Sequence, residues 1–404
     1  MANLEEHEVV IVGAGWAGTS VSYTLKQAGI PHLVIERHRV CETWRTQRWQ
    51  SFRMNTPNVA TILPGDRYQG PAPEEYMTRD EFVTMVENYV RNHDLPVREH
   101  TVVEDVRPVD EGFEIRSSGG TLRADHVVVA SGNLNIPRRP KLADRIPPSV
   151  RQIDGTRYRS ADSLPPGAVL VIGCGNTGGQ IAEELVRAGR KVLLSTGRNG
   201  RVPRRYRGRD IFLWLTDTGR MGKPRTRDSG RGLIGATHTI SLQSLSSQGA
   251  ILLGRLEDIS AEGRLTFADT LADSAAFGDE MSAMLRQEID DYVSREGLDA
   301  PEAKPDPAEI VEPRFPEPPK LDIDLAAEGV TTVLWATGLR GDFSWLRVPG
   351  ALDDNGDPLQ DQCVSVPGIY FAGLDTPASL RAGTVLVAAE EAERISEHIA
   401  ANRK

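Results

Sequence analysis

Two glycine-rich hexapeptides of the pattern GxGxxG carry the most evident chemistry of this chain. They span Gly13–Gly18 and Gly173–Gly178, each follows a short apolar run, and each precedes a stretch with helical periodicity. In such a strand–turn–helix unit the glycines allow a tight turn, a close approach of the backbone to a pyrophosphate and close helix–strand packing. Two such units predict two dinucleotides, which indicates electron transfer between them. The residues assigned to these sites are Gly13, Gly15 and Gly18 in the first unit, and Gly173, Gly175, Asn176, Thr177 and Gly178 in the second.

The residues after the second strand of each unit predict which dinucleotide binds. Glu36 holds this place in the first unit, where a carboxylate accepts hydrogen bonds from a ribose diol and repels a 2′-phosphate. We therefore assign the first site, including the neighbouring Arg37, to FAD. The second unit has Ser195 and Arg198 instead, and a hydroxyl and a guanidinium suit the 2′-phosphate of NADPH. Any of the five arginines in segment 201–209 would also be able to reach that phosphate.

Small residues at the ends of three further strands are expected near the cofactors. Two of these predicted strands are Val127–Gly132 and Val333–Gly338, and the second includes Thr337. Both end in small residues, which is typical of places where the chain crosses between domains and passes close to a cofactor. A third predicted strand ends at Gly373. After it, Thr384 opens a predicted helix whose N-terminus would face the flavin pyrimidine and stabilise its negative charge.

These elements predict an α/β fold with two Rossmann-like dinucleotide-binding domains, the NADPH domain being inserted into the FAD domain. We expect residues 1–160 and 330–404 to form the FAD domain and residues 161–329 to form the NADPH domain. Apolar runs between residues 101 and 130 predict a β-meander on the first domain. Segment 301–320 holds seven prolines, a composition that favours a long surface connection without helix.

Composition narrows the class of protein. A chain of 404 residues is too long for one ordinary core, and a net charge of -10 argues against nucleic acid as a partner. No apolar run approaches the ~20 residues of a membrane span, and residues 1–8 do not have the pattern of a signal peptide. Cys41, Cys174 and Cys363 are far apart, which favours a reducing cytoplasm and argues against a disulfide reductase with a dithiol beside the flavin. No metal site is expected.

Several longer stretches together match a known family. They are GAGWAG from Gly13, ETWRTQRWQSFRMNTP from Glu42, YRSADSLPPGAVLVIGCGNTGGQIAEEL from Tyr158, RVPRRYRGRDIF from Arg201 and VLWATGLRGDFSWL from Val333. Over nearly its whole length the chain resembles the flavin-containing monooxygenases (class B flavoprotein monooxygenases), especially their short bacterial members. The resemblance implies that NADPH reduces FAD and that O2 adds at flavin C4a. The resulting (hydro)peroxide would then give one oxygen atom to a small organic molecule in an N-, S- or Baeyer–Villiger-type oxidation.

The resemblance also assigns roles to residues after the first unit. In the family an Asn of an Asn-Thr pair lies over the flavin, and the matching pair here is Asn55–Thr56. Asn55 is therefore the expected catalytic residue, with Thr56 at the cofactor, although Asn-Thr-Pro also forms a good turn. Trp44 and Trp49 would pack on the flavin side of this loop, the alternative being two core indoles.

One departure from the family pattern leaves alternatives open. The family has Phe, Gly and His where this chain has Pro148, Val150 and Asp154, which puts the coupling of NADP position to oxygen transfer in doubt. An NADPH oxidase or another NADPH-dependent flavin oxidoreductase is the first alternative, and a flavin-free nucleotide-binding regulator is the second. The substrate is left open, with Ser241–Gly254 and the region after Gly373 expected to form its pocket. The oligomeric state is also left open, a homodimer being one alternative.

Overall fold

The computed structural model describes residues 4–226 and 231–403. The strands of these two ranges are β1 (Glu5–Val12), β2 (His32–Ile35), β3 (Val97–Arg98), β4 (Val103–Pro108), β5 (Phe113–Ser117), β6 (Gly120–Val129), β7 (Ile136–Pro137), β8 (Arg151–Asp154), β9 (Ala168–Ile172), β10 (Val192–Ser195), β11 (Asn199–Arg201), β12 (Arg205–Tyr206), β13 (Arg209–Asp210), β14 (Arg231–Leu233), β15 (Ile251–Leu253), β16 (Leu256–Ile259), β17 (Arg264–Phe267), β18 (Asp322–Asp324), β19 (Val330–Trp335), β20 (Leu339–Arg340) and β21 (Ile369–Phe371). The α-helices are α1 (Trp16–Gln27), α2 (Glu42–Thr46), α3 (Arg79–Asn92), α4 (Asn176–Arg187), α5 (Ile211–Asp217), α6 (Leu242–Ser247), α7 (Leu271–Glu296), α8 (Pro307–Ile310) and α9 (Ala388–Ala401).

The first sheet has the order β3-β2-β1-β6-β5-β4, with β21 also paired to β6. Strand β1 lies between β2 and β6 and is parallel to both. Its residues Val9–Val12 are buried, as expected for a parallel strand covered on both faces. Strands β4, β5 and β6 are antiparallel neighbours, so the structure contains the predicted β-meander.

The second sheet has the order β15-β10-β9-β19-β8, and its strands are parallel. Strand β19 therefore pairs with β9 of the second fingerprint, and β8 pairs with β19 at the edge of the same sheet, although the expected domain boundaries assigned residues 151–154 and 330–335 to the first domain. The correction has a physical reason, because strand membership is decided by long-range pairing that no local pattern of apolar residues reveals.

The segment that follows β6 of the first sheet and the segment that follows β19 of the second sheet run next to each other. The chain after β6 forms β7 and the chain after β19 forms β20, and the two short strands pair antiparallel through Leu339–Pro137 and Arg340–Ile136. The hydroxyl of Thr337 donates to the carbonyl oxygen of Arg138 and adds a second link between them. The small residues at the ends of β6 and β19 thus mark the crossings, as the sequence indicates.

Helices α1 and α4 begin at the two glycine turns. Their N-cap residues, Gly15 and Gly175, are extended and offer no side chain to the first turn, so the first amide groups of each helix are left for a ligand. In the proline-rich segment 301–320 the structure has the one-turn helix α8, which differs from the expectation of no helix. Asp306 caps this turn and Pro307 occupies its first position, where proline lacks only an amide hydrogen that needs no partner in the helix.

Within the two described ranges, no helix is long and apolar enough to cross a membrane.

Candidate active site

The first glycine turn has the shape that a pyrophosphate requires. Gly13 has a φ of +110° and its amide donates to Ile35 O at 2.8 Å. A Cβ on Gly13 would lie 2.6 Å from Ala130 O, and one on Gly18 would overlap Gly13 O. A Cβ on Gly15, by contrast, would meet no atom within 4 Å and would occupy open space beside the start of α1. The turn is therefore tight where the chain packs and open where a dinucleotide would lie.

The second glycine turn repeats this geometry. Gly173 has a φ of +101° and its amide donates to Ser195 O at 3.0 Å. A Cβ on Gly178 would overlap Gly173 O, whereas the nearest atom to a Cβ on Gly175 would be 3.9 Å away. Thr177 packs its methyl group against Gly155. Both turns thus fit the pyrophosphate of a dinucleotide.

Glu36 is held where a ribose would reach it. Its Oε2 accepts a hydrogen bond from the amide of Ala14 at 2.9 Å, and its Oε1 accepts one from the amide of His38 at 2.9 Å. Each carboxylate oxygen can accept a further bond, and both Glu36 and Arg37 line a large cavity. The carboxylate is therefore fixed to the glycine turn and still able to accept from a ligand.

The adenosine end of the second site differs from the expectation at Ser195. This side chain is buried, its hydroxyl donates to Gly254 O at 2.9 Å, and it accepts from the amide of Leu256 at 3.2 Å. The hydroxyl is thus engaged within the fold. Arg198 is exposed instead, with its guanidinium carbon 4.3 Å from the centroid of the Phe277 ring.

The arginines of segment 201–209 are paired with acids of the fold. The pairs are Arg201 with Asp279 and Glu309, Arg204 with Asp210, Arg205 with Glu74, Arg207 with Asp290, and Arg209 with Asp217. Their charges are largely neutralised by these partners, which the sequence does not reveal.

One cavity of about 930 Å³ joins the two halves of the site. The predicted site residues on its walls are Gly13, Gly15, Glu36, Arg37, Trp44, Asn55, Thr56, Asn176, Gly373 and Thr384. The predicted residues outside its walls are Gly18, Gly173, Gly175, Thr177, Gly178, Ser195, Arg198 and Thr337. The structure therefore brings the first fingerprint, the Asn55 loop and the start of α4 around one space.

The two tryptophans of the Asn55 loop have different surroundings. Trp44 lines the cavity and packs against Phe82, with ring centroids 4.7 Å apart. Trp49 is buried outside the cavity walls against Phe52 and Tyr158. Trp49 is thus a core indole, the alternative left open above, whereas Trp44 lies where a cofactor would contact it.

Asn55 is held at both ends, by Gln180, which the sequence did not single out, and by Arg204, which it offered only as a phosphate ligand. Its side-chain Oδ1 accepts from Gln180 Nε2 at 3.2 Å, and its backbone carbonyl accepts from Arg204 Nη1 at 2.8 Å. Arg204 and Asp210 are 1% and 0% exposed, and Tyr76 donates its hydroxyl to Asp210 Oδ2 at 2.6 Å. Burial raises the pKa of the Tyr76 hydroxyl, so it remains a proton donor to this carboxylate. Only tertiary contacts bring these residues to Asn55.

The C-terminal helix approaches the cavity through two residues. Thr384 caps a short 3₁₀ turn, accepting from the amide of Leu386 at 3.3 Å, and α9 follows from Ala388. The amide of Gly373 donates to Glu391 Oε2 at 2.7 Å, and burial raises the pKa of Glu391 to about 7. The predicted helix start at Thr384 is therefore present as a 3₁₀ turn, and Glu391 is an additional half-buried acid that the sequence analysis missed.

The far wall of the cavity is mostly apolar. It is formed by α5, the 3₁₀ turn Arg220–Gly222 and α7 through Phe212, Leu215, Met221, Met281 and Leu285. The region after Gly373 contributes Leu380, as expected, but segment 241–254 contributes no wall residue. The expected role of that segment in the pocket is therefore wrong, because α6 packs against α8 and not toward the cavity.

Arg48 is a cation on the cavity wall with no acidic partner among the described residues. Its guanidinium carbon lies 4.7 Å from the ring centroid of Trp44, and its Nη1 donates to Gln47 O at 3.1 Å. Burial lowers the pKa of Arg48 to about 10. Of the other wall arginines, Arg220 and Arg225 pair with acids, and Arg37 lies beside Glu36 at the first turn. Arg48 is therefore a group here that favours an anionic part of a ligand.

The remaining groups discussed from the sequence are Asp154 and the three cysteines, of which Cys41 lines the cavity. Asp154, at the family His position, is outside the cavity walls and pairs with Arg139, whose Nε lies 2.6 Å from Asp154 Oδ1. Cys41, Cys174 and Cys363 are free and buried. No dithiol therefore forms in the described part of the chain.

Comparisons with known proteins agree with this architecture. Residues 10–210 match the family described as pyridine nucleotide-disulphide oxidoreductase. An uncharacterized CzcO-like oxidoreductase of Geobacillus kaustophilus is 29% identical over 384 residues, 94% of this chain and 94% of that protein. The indole-3-pyruvate monooxygenase YUCCA1 of Oryza sativa is 31% identical over 194 residues, 45% of this chain and 46% of that protein. A solved flavin-containing monooxygenase from Stenotrophomonas maltophilia has a TM-score of 0.69 at 16% identity and covers 98% of this chain and 99% of its own.

The fold and the two glycine turns define a two-domain flavoprotein oxidoreductase. The comparisons confirm the resemblance expected from the sequence. The comparisons support an oxidoreductase that is similar to NADPH-dependent flavin monooxygenases and to enzymes that use FAD and NADPH.

Proposed function

We propose that this enzyme uses NADPH and O2 to transfer one oxygen atom to a small organic molecule. The observation that carries the proposal is the single cavity, whose walls include the first glycine turn, the start of α4 and Asn55. A cavity with this lining would hold the reacting parts of both dinucleotides beside a hydrogen-bonding amide. Such an arrangement favours a reaction in which both cofactors take part at one place.

The residues divide into groups that hold the cofactors and groups that face the reaction. The α1 turn and Glu36 would hold FAD, while the α4 turn and Arg198 would hold NADPH. When bound, FAD supplies the acceptor for the hydride of NADPH and the reduced centre at which O2 reacts. Asn55 would offer a fixed hydrogen bond to an oxygen atom that gains charge, which is the type of contact that lowers a barrier most in a dry site.

The cavity walls indicate which molecules would fit as substrate. The apolar far wall, with Phe212 and Met281 among its residues, would exclude water and accept a hydrophobic body. Arg48 would bind an anionic group, since a half-buried cation without a counter-charge is partly desolvated and gains from an anion that a ligand supplies. The atom oxidised, whether nitrogen, sulfur or the carbon of a ketone, is not fixed by these walls.

The proposal is tested by measuring the bound flavin and by comparing the NADPH consumed with the oxygenated product and H2O2 formed. The purified protein should be yellow, and NADPH should reduce its flavin without air. The enzyme is then supplied with NADPH in air, with thioanisole as a thioether probe in one assay and a small ketone in a parallel one. The oxygenated product should account for a substantial part of the NADPH consumed. Recovery of all NADPH electrons as H2O2 with every probe tried would refute oxygen transfer.

A second candidate, an NADPH oxidase, is favoured by one observation. Asp154 occupies the position of the family His and pairs with Arg139 outside the cavity. Asp154 would therefore not contact NADP in the way that would keep NADP over the flavin. The same balance separates the two functions, because an oxidase returns H2O2 in equal amount to the NADPH used.

A further inference from the structure

The side-chain amide of Asn55 is turned in one direction by its neighbours. Gln180, on α4, is 8% exposed and its Nε2 donates to Ile234 O at 2.8 Å and to Asn55 Oδ1 at 3.2 Å. A backbone carbonyl can only accept, so Gln180 must present its NH2 group to Ile234. The second hydrogen of that group then requires an acceptor, and Asn55 supplies Oδ1.

The consequence concerns the other end of the Asn55 amide. With Oδ1 committed to Gln180, the Nδ2 group and its two hydrogens point elsewhere, and Nδ2 makes no hydrogen bond with the described residues. Asn55 lines the cavity. An amide whose acceptor is satisfied by protein and whose donor is not will offer that donor to the cavity contents.

The orientation is anchored to the second glycine turn. Asn176, the first residue of α4, accepts from the amide of Ile234 at 3.0 Å, and Ile234 O in turn orients Gln180. Arg204 fixes the backbone of the same loop by donating to Asn55 O and, at 3.4 Å, to Gly235 O. A chain of hydrogen bonds thus runs from the NADPH turn to Asn55.

We propose that Gln180 is a positioning residue that turns Asn55 so that its Nδ2 donates to an oxygen acceptor of the ligand in the cavity. The proposal rests on the proposed function for the identity of that acceptor, an oxygen atom that gains negative charge. The orientation of the Asn55 amide is independent of the proposed function, because it follows from the fact that Ile234 O can only accept a hydrogen bond.

Two substitutions change the orientation without a large change in volume. Gln180→Met removes both donors, so that the Asn55 amide is free to rotate. Gln180→Glu places an acceptor-only carboxylate beside Asn55, which would favour the reversed amide with Nδ2 turned away from the cavity. Arg187→Met is the matched control, because Arg187 lies on the same helix with its side chain 54% exposed and paired with Glu183.

The first measurement observes the amide directly. In holoenzyme labelled with ¹⁵N-asparagine, the side-chain NH2 signals of Asn55 are those missing from Asn55→Asp. They should shift in Gln180→Met and Gln180→Glu and stay in place in Arg187→Met. Unchanged signals in both Gln180 variants would overturn the proposal, whether or not the enzyme transfers oxygen.

The second measurement asks whether the donor acts in the cavity. The rate at which the NADPH-reduced holoenzyme is reoxidised by O2 should fall about five- to tenfold in both Gln180 variants, the effect of about one hydrogen bond. Reduction by NADPH should stay within about twofold of the parent. Shifted NH2 signals with an unchanged reoxidation rate would overturn the donor assignment. A parent that forms only H2O2 would refute the proposed function and leave this comparison valid.

Discussion

Recognition of the NADPH 2′-phosphate provides the sharpest prediction, and Arg198 is its subject. Arg198 is exposed beside the second unit, with its guanidinium carbon 4.3 Å from the centroid of the Phe277 ring. We expect Arg198→Ala to lower kcat/KM for NADPH and to leave kcat/KM for NADH almost unchanged, because NADH has no phosphate at that position.

The magnitude follows from the contact. A hydrogen bond between a guanidinium and a phosphate is worth about 1.5–3 kcal/mol, and each 1.4 kcal/mol is about tenfold in relative efficiency. Arg198 is exposed and solvent screens its charge, so the lower part of this range applies. The ratio of the two kcat/KM values should therefore fall about ten- to thirtyfold.

The assay follows reduction of the flavin without air at several concentrations of each coenzyme. Arg205→Ala is the matched control, since Arg205 is also exposed and its guanidinium pairs with Glu74, and it should leave the ratio unchanged. Ser195→Ala should also leave it unchanged, because the Ser195 hydroxyl bonds to Gly254 and Leu256. Equal use of both coenzymes by the parent, or an equal loss in Arg205→Ala, would refute the reasoning.

Three further predictions concern the flavin site, the buried ion pair and pH. Gly15→Val should purify with little flavin, as judged by the ratio of flavin to protein absorbance, because its side chain would fill the open space of the first turn; a full flavin content would contradict this placement. Arg204→Met should lower the free energy of unfolding in urea by about 3–5 kcal/mol, since it leaves Asp210 buried without its cation, and a loss below about 1 kcal/mol would contradict it. Burial raises the pKa of Glu391 to about 7, so the folded state binds this proton more tightly than the unfolded state and stability should fall as pH rises from about 4.5 to 7. Glu391→Gln should remove that dependence and stabilise the protein at pH 8 by at most about 3 kcal/mol, and identical pH profiles for the two proteins would show that Glu391 is not the group responsible.

The sequence by itself determined the two nucleotide turns. Gly18 and Gly178 are required by their contacts with Gly13 and Gly173 of the same strand–turn–helix unit, and Gly13 and Gly173 by the positive φ of the turn, so the signal is contained in a few consecutive residues. Glu36 was equally accessible, because the length of the first helix and strand fixes the place of its carboxylate beside Ala14. Local geometry was sufficient for these residues.

Tertiary structure decided the features that depend on distant segments. Strands β8 and β19 joined the second sheet through pairing partners far away in the chain. The Ser195 hydroxyl, which looked available for a phosphate, was taken by a loop nearly sixty residues later. Asn55 acquired Gln180 and Arg204 as partners only when the two domains packed together. A short polar side chain can satisfy many neighbours equally well, so its partner, and hence its role, is fixed by which segments the fold places within hydrogen-bonding distance.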